Sequence, residues 1–403
     1  MSQKKVHSHN KSGRPDNIVE KENAIFLECR RIEESLPDFL NDYFIFLRGN
    51  NLPASRLEYL REVLAFFTYL TDATNLVKAK NPKEITLEEF SRLTARDVNV
   101  YLDYLRNYTV ERKDCITVYE NGSKTLARKK SSLSVLFREL HREGLMKENI
   151  SEGFDPIRVP RAGEHEIKAL DDDEVMRMLD AVTVGSGLSP HEKTYWEKTK
   201  KRDKAILLLF LTYGLRLSEL QQLNLSSFNM SRGEFKIYRK RDKEAIMPLN
   251  RSCEGAVKDY IENERKSNDD LPEESRDALF LSLQEKRMTG RQIRELVKKY
   301  TSIALRTSRK EGYSPHKLRA TAATSLIGRG ESIYDVAALL DHEQVTTTQL
   351  YAKTRRGLKR DLVRGMEWEL ERREGLPEEE KAEDNTEENA DFSALSKDDS
   401  SES

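Results

Sequence analysis

SPHKLRATAATSL, residues 314–326, sets His316 and Arg319 three positions apart in a run of mostly small and apolar residues. On a helix, that spacing puts both side chains on one face. Upstream, TYGLRLSEL (212–220) carries Arg216 and Glu219; downstream, LLDHEQVTTTQLYAK (339–353) carries His342 and Tyr351. Two arginines, two histidines and a tyrosine match what attack on a phosphodiester requires without a metal. A guanidinium is a planar fork that holds phosphate oxygens bidentately and stays charged. Histidine moves protons near neutral pH. A tyrosine oxygen can serve as a nucleophile that forms a covalent intermediate. Thr346, Thr347 and Thr348 can cap a short helix with Tyr351 in its first turns. Taken singly these residues are common, and their order and local contexts carry the reading.

The totals set the frame. A chain of 403 residues has room for about two domains. With 37% hydrophobic and 34% charged residues, it has the composition of a soluble protein. The greasiest run, AILLLFLTYGL (205–215), is too short to span a bilayer and suits a buried helix. The basic N-terminus has no apolar stretch behind it, so no secretory signal or membrane association is expected. Cys29, Cys115 and Cys253 are far apart and form no metal-binding or redox pair, which fits a reduced cytoplasmic protein. No metal and no cofactor is expected. The net charge of −1 hides an asymmetry, because residues 374–403 hold 12 acidic and 2 basic side chains. Taking them from the 70 acidic and 69 basic residues of the chain leaves 58 and 67, a basic body suited to a polyanion.

Patterning divides the chain into five parts. Residues 1–21 are polar and aperiodic, and are expected to be disordered. Residues 22–150 read as a small helical domain. Its segments are PDFLNDYFIFLRG, SRLEYLREVLAFFTYL after Pro53, TARDVNVYLDYLRNY opened by Thr94 and Asp97, and a last helix stopping at Gly144. ERKDCITVYENGSK (111–124) reads as a polar loop. Residues 151–168, with two prolines and two glycines, form a linker. The second domain, 169–373, opens with an acid-capped helix, LDDDEVMRMLDAV, followed by a charged loop over 185–203. EFKIY (234–238) and EAIMPL (244–249) read as two strands around a turn at Arg241-Asp242. Residues 374–403 form an acidic, disordered tail.

The three motifs resemble those of tyrosine recombinases of the integrase family, and more narrowly the Xer recombinases. Within that group, KRDKAILLLFLTYGLRLSEL is most similar to the single-recombinase type of Gram-positive bacteria. The resemblance spans roughly 22–365. It implies a mainly α fold in which a helical core-binding domain and a mixed α/β catalytic domain with a small antiparallel sheet form a C-shaped DNA clamp. It further implies that Arg216 and Arg319 clamp the scissile phosphate. His316 then serves proton transfer at the nucleophile, and His342 hydrogen-bonds a phosphate oxygen. Tyr351 attacks, giving a 3′-phosphotyrosine. Lys240 takes the place of the hairpin lysine that protonates the leaving 5′ oxygen, with Lys243 as a stand-in, and Glu219 supports the neighbouring groups. There are three departures from the pattern: Arg241-Asp242 replaces a glycine-rich turn, Asp341 a glycine and Ala320 a histidine.

In KTLARKKSSLSVLFRELHR, Lys124, Arg128 and Lys129 lie near one face and Leu133, Leu136, Phe137 and Leu140 on another. The basic face suits a DNA groove. The stretch after Tyr351 is similar to the helix with which the family docks a neighbouring protomer. Its partners would then be duplex DNA carrying a specific site, a homotetramer on two sites, and an activating DNA translocase. Chromosome-dimer resolution fits the compact layout, since residues 1–21 offer no folded arm-binding domain. The alternatives are integration or excision of a mobile element, a type IB topoisomerase, and a catalytically silent DNA-binding protein.

Overall fold

The computed structural model describes residues 14–112, 115–160, 167–239, 243–342 and 348. By spatial proximity the chain divides into two compact units, Met1–His165 with Ser218–Glu254 and Lys266–Met288, and Glu166–Leu217 with Gly255–Arg265 and Thr289–Ser403.

In the first unit, helices α1 (Asp16–Glu34), α2 (Asn41–Asn50), α3 (Pro53–Ala73), α4 (Leu87–Phe90), α5 (Ala95–Tyr104) and α6 (Ser123–Arg142) follow one another. Their apolar stripes meet in one core, where the rings of Phe66, Phe67, Phe90 and Phe137 pack in edge-on and stacked pairs. Thr94 and Asp97 form the capping box that opens α5, and Gly144, at φ 73°, follows the end of α6.

Two expectations are corrected here. Residues 16–21, assigned to a disordered terminus, are the first turns of α1. Arg14 pairs with Glu22 through two hydrogen bonds (3.1 and 2.9 Å), and the Asn17 side chain bonds the Gln222 carbonyl and Asn224. These tertiary anchors replace the apolar periodicity that the segment lacks. The polar loop of 111–124 is largely a β-hairpin, β1 (Asn107–Arg112) against β2 (Cys115–Glu120). Its β-branched residues Thr109, Val110, Ile116, Thr117 and Val118 favour extended backbone, and the paired Tyr108 and Tyr119 rings stack at 5.2 Å. The flanking charges masked the alternation.

The first unit also holds the second sheet. Strands β3 (Phe228–Asn229), β4 (Glu234–Tyr238) and β5 (Glu244–Pro248) run antiparallel in that order, so the two expected strands acquire a short third. Beyond the ladder, the Arg239 amide donates to the Lys243 carbonyl at 2.8 Å, bracketing residues 240–242.

The second unit contains α7 (Asp172–Val184), α8 (Pro190–Trp196), α9 (Lys200–Tyr213), α12 (Gly290–Leu305), α13 (Pro315–Gly328) and α14 (Ile333–Leu340). The short α10 (Leu217–Gln221) and α11 (Arg251–Asn263) complete the order. The loop expected over 185–203 instead contains α8, opened by a Ser189–Glu192 capping box and Pro190, and the start of α9. Seven residues are too few for helical periodicity to show, yet Trp196 at its end is buried and donates to the Val182 carbonyl at 2.8 Å. In α9 the residues Ala205, Ile206, Leu207, Leu209 and Phe210 are all buried, as the apolar run requires. Its N-terminus carries a buried polar knot. Asp203 receives Arg202, Lys299 and the Tyr300 hydroxyl, while Glu264 accepts the Lys201 and Arg202 amides. Helix α9 packs on α13, and Ala320, Ala323, Val336 and Leu340 form a small core where α13 meets α14.

Candidate active site

Helix ends build the site. Gly214 terminates α9 in the left-handed region, at φ 56°, and its amide closes on the Phe210 carbonyl. A Cβ at this position would lie 2.5 Å from Leu340 Cδ2, so glycine is required both for the turn and for the approach of α14. The turn delivers Arg216 two residues later. Ser314 and Pro315 start α13 at its first turn, which places His316 at the positive end of the helix dipole and Arg319 one turn on.

Leu215, Arg216, Leu217, Arg294, Ser314, Pro315, His316 and Arg319 line one cavity of about 220 Å³. Both motif arginines are anchored to main-chain carbonyls at helix C-termini. Arg319, only 4% exposed, donates Nη1 to the Gly214 carbonyl at 2.7 Å and Nη2 to the Leu340 carbonyl. Arg216 donates Nη2 to the Asp341 carbonyl at 2.9 Å, and its Nη1 lies 3.5 Å from Asp341 Oδ2. The carbonyls orient the two guanidiniums without cancelling charge, while the Asp341 carboxylate sets one negative charge beside Arg216. The five donors of the fork let one edge hold carbonyls and another meet an oxyanion.

This positive environment acts on the histidines. Burial, then the charges of Arg319, Lys317 and Arg216, hold the His316 imidazole below its ordinary value. His342 is pushed down to about 4, first by burial and then by Arg319, Arg216 and His316, with Asp341 opposing. Both rings are therefore neutral at pH 7, able to accept a proton or, by tautomer, to donate one. His342 Nδ1 lies 2.8 Å from the hydroxyl of buried Thr348. When that hydroxyl donates to Nδ1, the ring proton sits on Nε2 and can be given to an acceptor.

The structure thus brings Arg216, His316 and Arg319 to one cavity and sets His342 within their field. Glu219 and Lys243 belong to the first unit, Glu219 buried and Lys243 exposed. Lys240 and Tyr351 lie outside the described residues, as do the segment after Tyr351 and the acidic tail. Motif reading missed two residues. Arg294 lies on α12 beside the buried Ile293 and reads in sequence as one solvated charge among several. Thr348 was legible only as part of a capping run.

On the other face of the problem, Lys124 is exposed, but Arg128 and Lys129 are paired. Both reach the buried Glu62 carboxylate of α3, at 2.7 and 2.5 Å. The basic face of α6 therefore carries less net charge than its letters suggest.

Residues 168–356 match the model of the phage integrase family. A tyrosine recombinase XerC from Natranaerobius thermophilus is 30% identical over 317 residues, covering 77% of this chain and 92% of that protein. The chain belongs to the tyrosine recombinase family. It is a site-specific tyrosine recombinase of Xer type, a DNA strand-exchange enzyme. Tyrosine recombinase XerD from Bifidobacterium longum is similar as well, at 29% identity over 63% of this chain and 83% of that protein. Among solved structures, the XerH recombinase bound to palindromic difH in a post-cleavage complex aligns with TM-score 0.54 and 18% identity, over 89% of this chain and 91% of that one. A lambda integrase dimer bound to a COC' core site aligns at TM-score 0.51 and 16% identity, over 86% and 83%. At these identities the structural likeness concerns the fold, mostly helical with small antiparallel sheets.

Proposed function

We propose that the recombinase cleaves duplex DNA at a specific site, with Arg216 and Arg319 holding the scissile phosphate in the cavity they line. The observation that carries this reading is the carbonyl-anchored pair of guanidiniums converging with His316 on one cavity. Neutral His316 takes the proton from the Tyr351 hydroxyl as it attacks. His342, its tautomer set by Thr348, donates from Nε2 to a nonbridging oxygen. Lys240 protonates the leaving 5′ oxygen, and Glu219 supports the arginine motif. Arg294, which lines the same cavity, meets a phosphate beside the scissile one.

Residues 22–150 act as the core-binding domain, joined by 151–168 to a catalytic domain over 169–373. Lys124 and Lys243 contact the backbone, with Arg128 and Lys129 contributing less. The solved relatives bound to difH and to a COC' core site support duplex DNA as the partner. A homotetramer on two sites, chromosome-dimer resolution and activation by a DNA translocase extend the reading in line with the XerC and XerD relatives, with a cytoplasmic setting. Among the described residues, no helix is long and apolar enough to cross a membrane.

The test is to incubate the protein with nicked duplexes carrying candidate sites and to look for a covalent protein–DNA band on a denaturing gel. The wild type is expected to give the band and Tyr351→Phe to lose it. A band that persists in the variant would overturn the choice of nucleophile.

A further inference from the structure

Asp341 occupies a position that local physics disfavours twice. Helix α14 ends in a paired turn in which the Asp341 amide meets the Ala338 carbonyl and the His342 amide meets the Ala337 carbonyl. That motif puts its C′ residue in the left-handed region, and Asp341 is there at φ 53° and ψ 52°. A residue with a Cβ is strained in this region relative to glycine, although aspartate tolerates it better than most. Its carboxylate also sits at the negative end of a helix, where cations are favoured and anions are not. Strain of this sort, persisting beside a functional cavity, calls for a compensating interaction.

Arg216 supplies one. Its guanidinium bonds the Asp341 carbonyl at 2.9 Å, and Nη1 lies 3.5 Å from the Asp341 carboxylate, with roughly a quarter of each side chain exposed. The carbonyl alone would orient the arginine. The carboxylate adds a full negative charge beside one of the two guanidiniums that line the cavity, where a phosphate oxygen would have to bind.

We propose that Asp341 is an internal counter-ion for Arg216, a resident carboxylate that competes with an incoming phosphate for the same guanidinium. It holds Arg216 in position through the backbone carbonyl and lowers the affinity of the cavity for anions through the side chain. Weak or misplaced phosphates are then rejected, while a correctly seated phosphodiester, gripped also by Arg319, displaces the carboxylate. Asp341 is in this sense a positioning and selectivity residue. The inference rests on the cavity being the phosphate site of the proposed reaction.

Two readouts on the full chain separate this inference from that reading. Inorganic phosphate is titrated against wild type, Asp341→Asn and Asp341→Gly, with binding followed by the shift in melting temperature, and with Arg216→Ala as reference. Asparagine keeps the left-handed turn and the carbonyl while removing the charge, so Asp341→Asn is expected to bind phosphate roughly 2- to 5-fold more tightly, the range of a partly exposed ion pair. Arg216→Ala is expected to remove that gain in the double variant. Equal phosphate affinity in wild type and Asp341→Asn overturns the proposal. So does a gain in Asp341→Gly alone, which would trace the effect to backbone strain. The same variants are then assayed for the covalent band on nicked duplexes, where Asp341→Asn should accept mismatched sites that the wild type refuses. Tighter phosphate binding with no band in any variant would support the counter-ion and overturn the recombination chemistry assigned to the cavity. Tighter phosphate binding with unchanged site discrimination would overturn the selectivity role.

Discussion

Two regions of this protein are rich in cations, and they handle charge in opposite ways. At the candidate site, Arg319 donates to the carbonyls of Gly214 and Leu340, and Arg216 to the carbonyl of Asp341, whose carboxylate lies 3.5 Å away and is partly exposed. Carbonyl dipoles fix orientation without removing charge, and the lowered titration of His316 and His342 reflects first their burial and then the arginine charges. On α6, Arg128 and Lys129 share the buried carboxylate of Glu62, and Arg128 also reaches Glu58. There the charge is spent within the fold. A basic letter therefore says little about available charge until its partner is known, and a cation held by dipoles offers a ligand more than one held by an anion.

The largest expected effect breaks the first half of that contrast. Arg216→Ala removes one guanidinium from the cavity, and loss of a single oxyanion donor typically costs about 3–4 kcal/mol, or ~10²–10³ in rate. Single-turnover cleavage of a nicked site should fall by that factor while affinity for the duplex changes by less than about tenfold. Near-normal cleavage would show that the charge at the cavity is not the catalytic one. Arg319→Ala should add a loss of stability, because the carbonyls of Gly214 and Leu340 lose a donor in a buried setting.

Glu62→Gln breaks the second half. With the carboxylate gone, Arg128 and Lys129 regain their charge at the surface, and the first unit loses a partly buried ion pair worth about 1–3 kcal/mol, reduced because Arg128 is half exposed. Urea unfolding should detect that loss. Affinity for duplex DNA should rise several-fold, with a salt dependence steeper by about one unit of slope. Lys124→Ala should move the slope the other way by a similar amount. An unchanged slope in Glu62→Gln would mean that the α6 face does not meet phosphates.

Thr348→Val sharpens the account of the site. The substitution keeps the shape of the side chain but removes the hydroxyl at 2.8 Å from His342 Nδ1. Without that donor the ring loses its preference for a proton on Nε2, and cleavage should slow by about tenfold. The melting temperature should fall by no more than about 1 kcal/mol of hydrogen bonding implies. Unaltered cleavage would show that Thr348 plays no part in fixing the tautomer.

The positions of the motif residues were more legible in the sequence than the scaffold. Two of the motifs named Arg216, His316 and Arg319, and the structure sets them around one cavity, because they lie close to helix ends that short-range signals mark: Gly214 and Ser314-Pro315. The capping box at Thr94 is readable for the same reason, since it depends on residues three apart. What escaped reading was set by distant partners. The turns at 16–21 are held by contacts with residues 222 and 224, and Arg294 reaches the cavity from a helix chosen by packing. The pairing of Arg128 and Lys129 with Glu62 spans more than sixty positions and leaves no local signal.

The smallest expected effect tests the electrostatics directly. An ordinary histidine titrates near 6.5, and the unfolded chain takes that value. In the fold, His342 is held near 4 by burial and by the arginine charges, and His316 is lowered as well. Between about pH 6.5 and 4 the unfolded state therefore binds more protons at His342 than the folded one, so this group, and His316 in the same direction, makes stability fall as pH falls, with a slope that fades within about a pH unit above 6.5. Melting temperatures measured across that window should decline more steeply for the wild type than for His342→Gln, the difference isolating one ring from the many carboxylates that titrate nearby. Inorganic phosphate in the cavity should shrink the difference, because an anion beside the arginines raises the histidines toward their ordinary value. Parallel curves for the two proteins would mean that neither burial nor the guanidinium charges lower His342 in the fold.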